Sequence, residues 1–394
     1  MWCRGFALAA LLLSPAVARA EGPRVQALFQ GDIDARLHSA ERVEGEDGFA
    51  VARLRLGARA DFTPWFHAFA QAEWAQEKPA LLDAYVSVRP SSSWELSLGA
   101  RKTPLFSSAR DEPVWMLPVP ERAMIVRALW PGRDVGFEVH RLPTPRLPLE
   151  AWLRVGNGSG SVLGNDNSDF AVDARLDVAL GRADPRAKGA PPLGLRVGAG
   201  FHAESAEDRL GVRGTTADGF IFYRSATVYG PRYVAEAHTA AYLGPVRILG
   251  EIGFAKESRA KDTDGNPKTP RVPQDAVRSL GGFVEVAWML SGQRRAPGIW
   301  PTERPGRKWG IGALELAGRF ERLSLGEGAR DVEPGGATSA SAAIRWWATR
   351  FCAVSAAGYF TAYDTAPIEE PGTTQSWLGL LRATFHVPVE KLAR

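Results

Sequence analysis

Residues 50–62 read Ala50-Val51-Ala52-Arg53-Leu54-Arg55-Leu56-Gly57-Ala58-Arg59-Ala60-Asp61-Phe62. Every even position from Ala50 to Phe62 is apolar, while the odd positions include Arg53, Arg55, Arg59 and Asp61. Neighbouring side chains on a strand point to opposite faces, so this stretch makes one greasy face and one charged face. The segment before it repeats the pattern, with Val25, Ala27, Phe29, Ile33 and Ala35 set against Gln26, Gln30, Asp32, Asp34 and Arg36. Further on, Phe170, Val172, Ala174, Leu176, Val178 and Leu180 oppose Asp169, Asp173, Arg175 and Asp177. Strands of about 10 residues, apolar outside and polar inside, are what a membrane barrel with a wet lumen requires.

Sixteen such segments are expected, near 24–37, 49–62, 66–76, 81–89, 94–101, 134–141, 148–156, 168–180, 193–203, 231–242, 246–256, 277–290, 309–322, 338–348, 350–362 and 375–387. The connections alternate long and short, with residues 291–308 an over-long turn on the short side and 77–80 a short loop on the long side. Outer-membrane barrels have short periplasmic turns and longer external loops, so both termini are placed in the periplasm. Trp65, Phe66, Trp94, Tyr242, Trp309, Trp346 and Trp347 cluster at short-turn ends, and Trp74 and Trp377 at long-loop ends. Aromatic rings of this kind prefer membrane interfaces.

The chain has 394 residues and a formal charge of +4, which falls to +2 if Arg4 and Arg19 leave with a leader. That balance gives no reason to expect nucleic acid as a partner. Residues 1–20 read MWCRGFALAALLLSPAVARA, with Arg4, an apolar run from Phe6 to Leu13, and Ala18-Arg19-Ala20 as a cleavage site. This is the pattern of a secretory signal peptide, with cleavage expected after Ala20 and residues 21–394 forming the barrel. Cys3 goes with the leader, so Cys352 alone remains. An internal disulfide and a cysteine-based zinc site are thereby excluded.

Several strings resemble the phosphate-selective porins O and P of the Gram-negative outer membrane. They are Thr63-Pro64-Trp65, Gln71-Ala72-Glu73-Trp74, Leu82-Asp83-Ala84-Tyr85, Gly99-Ala100-Arg101-Lys102-Thr103-Pro104, Pro120-Glu121-Arg122, Pro131-Gly132-Arg133-Asp134-Val135-Gly136 and Gly156-Asn157-Gly158-Ser159-Gly160. They cover roughly residues 60–170. The resemblance implies an all-β, sixteen-stranded, usually trimeric barrel whose third long loop, here 102–133, folds into the lumen.

Arginine dominates the charged positions expected to face inward: Arg53, Arg55, Arg59, Arg89, Arg101, Arg154, Arg175, Arg196, Arg232, Arg247 and Arg345. Guanidinium forks match phosphate and carboxylate geometry, and a ring of them in a narrow pore favours anions. The alternative is that they pair with lumen acids such as Asp32, Glu73, Asp83, Glu138, Glu236 and Glu251. The expected anion-attracting neck is Arg101, Lys102, Arg110, Arg122, Arg127 and Arg133 on the loop, with Arg53, Arg55 and Arg59 on the opposite wall. The apolar middle of the loop, Val114 to Leu117, is expected to bury against the inner wall.

Catalytic patterns are thin. His67, His140, His202 and His238 fall on expected inward faces, and no Gly-x-Ser-x-Gly elbow, HExxH or Walker sequence occurs. Asp262-Thr263-Asp264-Gly265-Asn266 lacks the later glutamate of a calcium loop. The chain is therefore read as a non-enzyme without cofactor or metal: an outer-membrane porin for small anionic solutes, phosphate among them, surrounded by outer-membrane lipid and assembled as a homotrimer. The alternative is a closed barrel serving as an adhesin or structural anchor.

Overall fold

Alternation of apolar and polar side chains produces a closed barrel in the computed structural model, which describes residues 23–39, 47–158, 160–165, 167–180, 193–264, 269–292, 312–349, 351–367 and 370–387. The expected leader, Trp309, most of the 291–308 connection and Gly265-Asn266 lie outside the described residues. Going round the chain, the first eight barrel strands are β1 (Arg24–His38), β2 (Gly48–Thr63), β3 (Phe66–Glu73), β4 (Ala80–Ser91), β5 (Trp94–Lys102), β6 (Arg133–Arg141), β7 (Leu149–Gly156) and β8 (Ala171–Leu180). The remaining eight are β9 (Leu193–Leu210), β12 (Thr227–Leu243), β13 (Val246–Lys261), β14 (Val272–Met289), β15 (Ala313–Glu327), β16 (Gly335–Trp347), β17 (Cys352–Tyr363) and β18 (Gln375–Val387). All neighbours are antiparallel, and β1 closes the ring on β18 through Phe29–Val387 to His38–Leu378. Two short strands, β10 (Gly214–Thr215) and β11 (Ile221–Tyr223), form a separate hairpin.

Each of the sixteen expected segments is a barrel strand. The differences lie at the long-loop ends, where β9 runs on to Leu210 and β14 begins at Val272. There the strands go on pairing beyond the apolar band, so the outward alternation that marks a span fades while the ladder continues.

The outward side is apolar, with Ile252 61% exposed, Val284 55% and Phe320 61%. The inward side is polar, and Asp34, Asp173, Arg154 and Arg247 are each 1% exposed or less.

The stretch around residues 50–62 needs one correction. Asp32 pairs with Arg53 but Ile33 pairs with Val51, so Ala52 is an extra residue, a β-bulge. The bulge swaps faces: Phe49 and Val51 point outward at 88% and 55% exposure, while Arg53 points inward. Ala50 sits opposite the inward Asp34. The even-numbered apolar face is therefore continuous only from Leu54 to Phe62.

Two of the interfacial aromatics are also corrected. Trp347 is 1% exposed and Tyr242 8%, and both face the lumen. Trp65, Trp74, Trp94, Trp346 and Trp377 do lie on the outside at 44–49% exposure. Adjacent strand residues such as Trp346 and Trp347 must take opposite faces, so one of that pair had to turn inward.

Between β5 and β6 the chain enters the lumen as α1 (Ser107–Arg110), a 3-10 turn over Val114–Met116, and α2 (Met124–Leu129). Leu105, Phe106, Ile125 and Leu129 are fully buried and pack on Val234, Leu249, Phe283 and Leu323 of the wall. Trp115 reaches the short-turn end, where it stacks on His386 at 3.8 Å between ring centroids and packs against Met289 and Trp347. The apolar middle of the loop thus buries inside the barrel as its composition requires.

Gly253 makes room for this packing: a Cβ there would lie 2.8 Å from the Phe106 ring and 3.1 Å from Ile125. Gly253→Leu is expected to dislodge the loop while leaving the barrel closed, so conductance rises and trypsin gains access to Arg110 and Arg122. An unchanged cleavage pattern would contradict this packing.

The β10–β11 hairpin is a second inward segment, although it belongs to a long connection of the kind expected outside. It roots on β9 and β12. In the ring, β9 is separated from β1 by seven strands in either direction. Nevertheless Asp218 at the hairpin tip pairs with Arg36 and, at 2.9 Å, with His38 Nε2, both on β1. The hairpin therefore crosses the full width of the long-loop mouth.

Candidate functional site: a cationic eyelet beside the inserted loop

The neck of the loop is closed by two of the family-like strings. Thr103 donates from its amide to the Gly132 carbonyl at 3.0 Å, and from its hydroxyl to the same oxygen at 3.1 Å. A third string joins them, because the Asp134 carboxylate accepts the amides of Val135 and Gly158 at 2.8 Å each. Gly158 has φ +79°, a conformation that favours glycine.

The loop's acids hold it against the wall. Asp111 accepts from Arg175 at 2.7 Å and lies 3.4 Å from Arg196. Glu112 pairs with Arg247. Glu121 is gripped by Arg53 at 2.7 Å and Arg382 at 2.6 Å, while its carbonyl accepts from Arg319 at 2.7 Å. Arg345 donates to the carbonyls of Trp115 and Leu117 at 2.6 and 2.8 Å. Arg319 and Arg382 add to the eleven inward arginines expected from the alternation, and Arg382 holds an inward position of the last strand.

Burial alone would raise the Asp111 carboxyl, but Arg175 and Arg196 hold it down at about 2. A carboxyl depressed in the folded state contributes docking above its ordinary value of 3.8, and that contribution is lost only as the pH falls toward 2. The ratio of Asp111→Asn to wild-type conductance is therefore expected to stay constant from pH 8 to pH 5 at fixed ionic strength. A change in that ratio between pH 6 and 5 would show that the Asp111 anchor titrates earlier.

The nine expected neck residues separate into two groups. Four are engaged by partners of their own. Arg59 pairs with Asp61 at 2.8 Å, Arg101 with Glu138 at 3.0 Å and Glu95 at 3.3 Å, and Arg110 with Glu138 at 2.5 Å. Arg127 instead donates to the carbonyl of Thr215 at 2.7 Å, which ties the loop to the hairpin.

The other five, Arg53, Arg55, Lys102, Arg122 and Arg133, come together. Lys102 lies within electrostatic range of Arg122, Arg133 and Arg55, and Arg122 within range of Arg53, Arg55 and Arg133. Three of these have carboxylates beside them: Asp32 and Glu121 for Arg53, Glu73 for Arg55 at 2.8 Å, and Asp83 for Arg133 at 3.2 Å.

Lys102 and Arg122 do not. Among the described residues no carboxylate lies within 4.0 Å of either. Lys102 donates to the Ala109 carbonyl at 2.7 Å, and Arg122 to the carbonyls of Ser108 and, at 3.0 Å, Glu112. Carbonyl oxygens orient a cation without cancelling its charge. All five side chains are half-buried and keep a face to water. The loop's acids are thus spent on wall arginines, which leaves two of its bases beside the β2–β6 wall without an ion pair among the described residues, although Glu112 lies within electrostatic range of Arg122 and Asp83 of Lys102.

The four histidines expected on inward faces are buried there, three of them beside carboxylates. His140 meets Glu150 at 2.9 Å, His202 meets Asp173 at 2.7 Å, and His238 meets Glu236 at 3.0 Å. These are polar contacts within the lumen network.

No protein-family model matches the chain, and no curated protein matches it. Among solved structures, the outer-membrane protein OmpT of Vibrio cholerae in trimer form superposes with a TM-score of 0.57 at 9% identity, over 93% of this chain and 100% of that one. The anion-selective porin from Comamonas acidovorans gives 0.55 at 10% identity, over 93% and 100%. The outer-membrane channel DcaP of Acinetobacter baumannii gives 0.55 at 10% identity, over 93% and 98%. At such identities the likeness establishes the fold: a sixteen-stranded, porin-like antiparallel barrel.

Proposed function

We propose that the protein is an outer-membrane porin whose water-filled passage runs between the inserted loop and the β2–β6 wall and favours small anions, phosphate included. The observation that carries this is the gathering of Lys102 and Arg122, which have no carboxylate within 4.0 Å among the described residues, with Arg53, Arg55 and Arg133. Cations held in a narrow polar passage raise the local anion concentration, and low-dielectric walls focus their field. Guanidinium forks among them suit tetrahedral oxyanions. The motifs resembling phosphate-selective porins build the neck that holds these residues in place.

The same reading has the chain exported by residues 1–20, cleaved after Ala20 and inserted in the outer membrane of a Gram-negative cell as a homotrimer. The trimer form of the Vibrio cholerae structure and the apolar outer surface support it. N-terminal sequencing of the mature protein should begin at Glu21; retention of residues 1–20 would refute the export step.

A second reading is favoured by one observation. The loop touches β2, β8, β9, β13, β15, β16 and β18, and the hairpin bars the mouth, as in a closed barrel serving as anchor or adhesin. Liposome swelling separates the two. A porin admits gluconate faster than a neutral sugar of the same size, whereas a closed barrel admits neither.

A further inference from the structure

Lys256 and Arg278 are direct register partners on β13 and β14. Both are exposed, and both lie on the outward face, in line with Ile252, Phe254 and Leu280. Their chain neighbours Glu257 and Val277 are buried, at 2% and 3% exposure, on the opposite face. Like charges directly opposite one another on a sheet destabilise the pairing. Cations on a barrel's outer face also carry a cost that falls away only near the interface.

Among the described residues no carboxylate lies within 4.0 Å of Lys256 or Arg278; Glu327, the register partner of Arg278, is exposed and makes no ion pair with it. Nearby basic residues are treated differently. Arg322 is gripped by Asp364 at 2.5 and 2.6 Å, Arg259 by Asp331 at 2.6 Å, and Arg271 by Asp208 at 2.5 Å.

The height of the pair identifies the missing charge. A tilted strand crosses the hydrocarbon in about 9–11 residues. Counted from the short-turn ends, Lys256 is the eleventh residue from Val246 and Arg278 the twelfth from Met289, which sets the pair at the far edge of that span. Ile252, Phe254 and Leu280 form an apolar floor directly beneath, and Tyr233 flanks Lys256 as its other register partner. A site with two cations above an apolar floor, at the outer boundary of the membrane, fits an amphiphile with a phosphorylated head and acyl chains.

We propose that Lys256 and Arg278 bind a phosphoryl group of an outer-leaflet lipid, with the acyl chains lying over Ile252, Phe254 and Leu280. The Arg278 fork donates to two phosphoryl oxygens and Lys256 to the third. The inference rests on the barrel being membrane-spanning but not on what passes through it.

The test uses the full-length mature protein in detergent micelles, with bis-phosphorylated lipid A and its dephosphorylated form as probes. Wild-type protein should bind the phosphorylated form about 30-fold more tightly, taking roughly 1 kcal/mol for each basic residue near an anionic surface. The K256Q/R278Q double variant should lose that preference, K256Q alone should lose part of it, and heat-modifiable migration and conductance should stay unchanged. Equal binding of both lipids by the wild type, or an undiminished preference in the double variant, would overturn the proposal. So would displacement of the lipid by millimolar inorganic phosphate, which would mark a free-anion site. Normal conductance alongside failed binding would refute this site alone and leave the porin reading standing.

Discussion

Replacing Lys102 and Arg122 together by glutamate is expected to reverse the ion preference of the channel. Among the described residues, these are the two cations at the eyelet with no carboxylate within 4.0 Å. Two unit charges 4 Å apart interact by about 4 kcal/mol at an effective dielectric of about 20. Reversing both charges should move the anion-to-cation permeability ratio by about tenfold or more on that scale. Arg53, Arg55 and Arg133 already have carboxylate neighbours, so they would be left close to neutral overall. The effect should shrink in 1 M salt, where the Debye length is about 3 Å. The single variant Arg127→Glu is expected to do much less to selectivity, because Arg127 serves the contact with Thr215. Reversal potentials that move equally for Arg127→Glu and for the double variant would refute this division of roles.

The second large effect concerns the mouth. Excising residues 213–224 and joining the stubs with a short glycine linker removes the hairpin that crosses from β9 and β12 to β1. The barrel strands keep their ladder on either side, so the ring should still close. Conductance should rise several-fold, and exclusion of larger solutes should weaken. Asp218→Asn tests the same strap more gently, since it cuts the ion pair with Arg36, weakens the contact with His38 and keeps the chain intact. It should give flickering openings between the two conductance levels. If excision left conductance unchanged, the limiting constriction would lie wholly at the inserted loop.

The barrel itself was legible because each strand writes its two environments into alternate residues. Hydrocarbon outside and water inside leave a signal of period two that needs no tertiary knowledge. The signal fails where both faces are apolar. Phe49, Ala50, Val51 and Ala52 carry no polar residue to mark a face, so the bulge at Ala52 is invisible in composition and appears only in the pairing with β1. The inserted loop was legible from its length and its apolar centre. Its docking was not, because which acid meets which arginine depends on distances across the lumen. Asp111, Glu112 and Glu121 could equally have neutralised Lys102 and Arg122, which would have cancelled the eyelet's charge.

The hairpin had a local signal. Asp218-Gly219 between Thr216 and Phe220 is a turn pair flanked by residues able to extend. The turn is present, with Gly219 at φ +93° and its amide donating to the Thr216 carbonyl at 3.0 Å. A turn signal says nothing about direction, and its inward course follows from Val212 and Phe222 burying against the lumen core.

The most direct test of the anion-selective channel is the zero-current potential of the purified protein in a planar bilayer under a tenfold gradient of potassium chloride, repeated with potassium phosphate. The account predicts stepwise single-channel currents and a reversal potential displaced toward that of the anion in both salts. Currents with a reversal potential at zero or on the cation side, or a membrane that stays silent while the protein is inserted and folded, would contradict it.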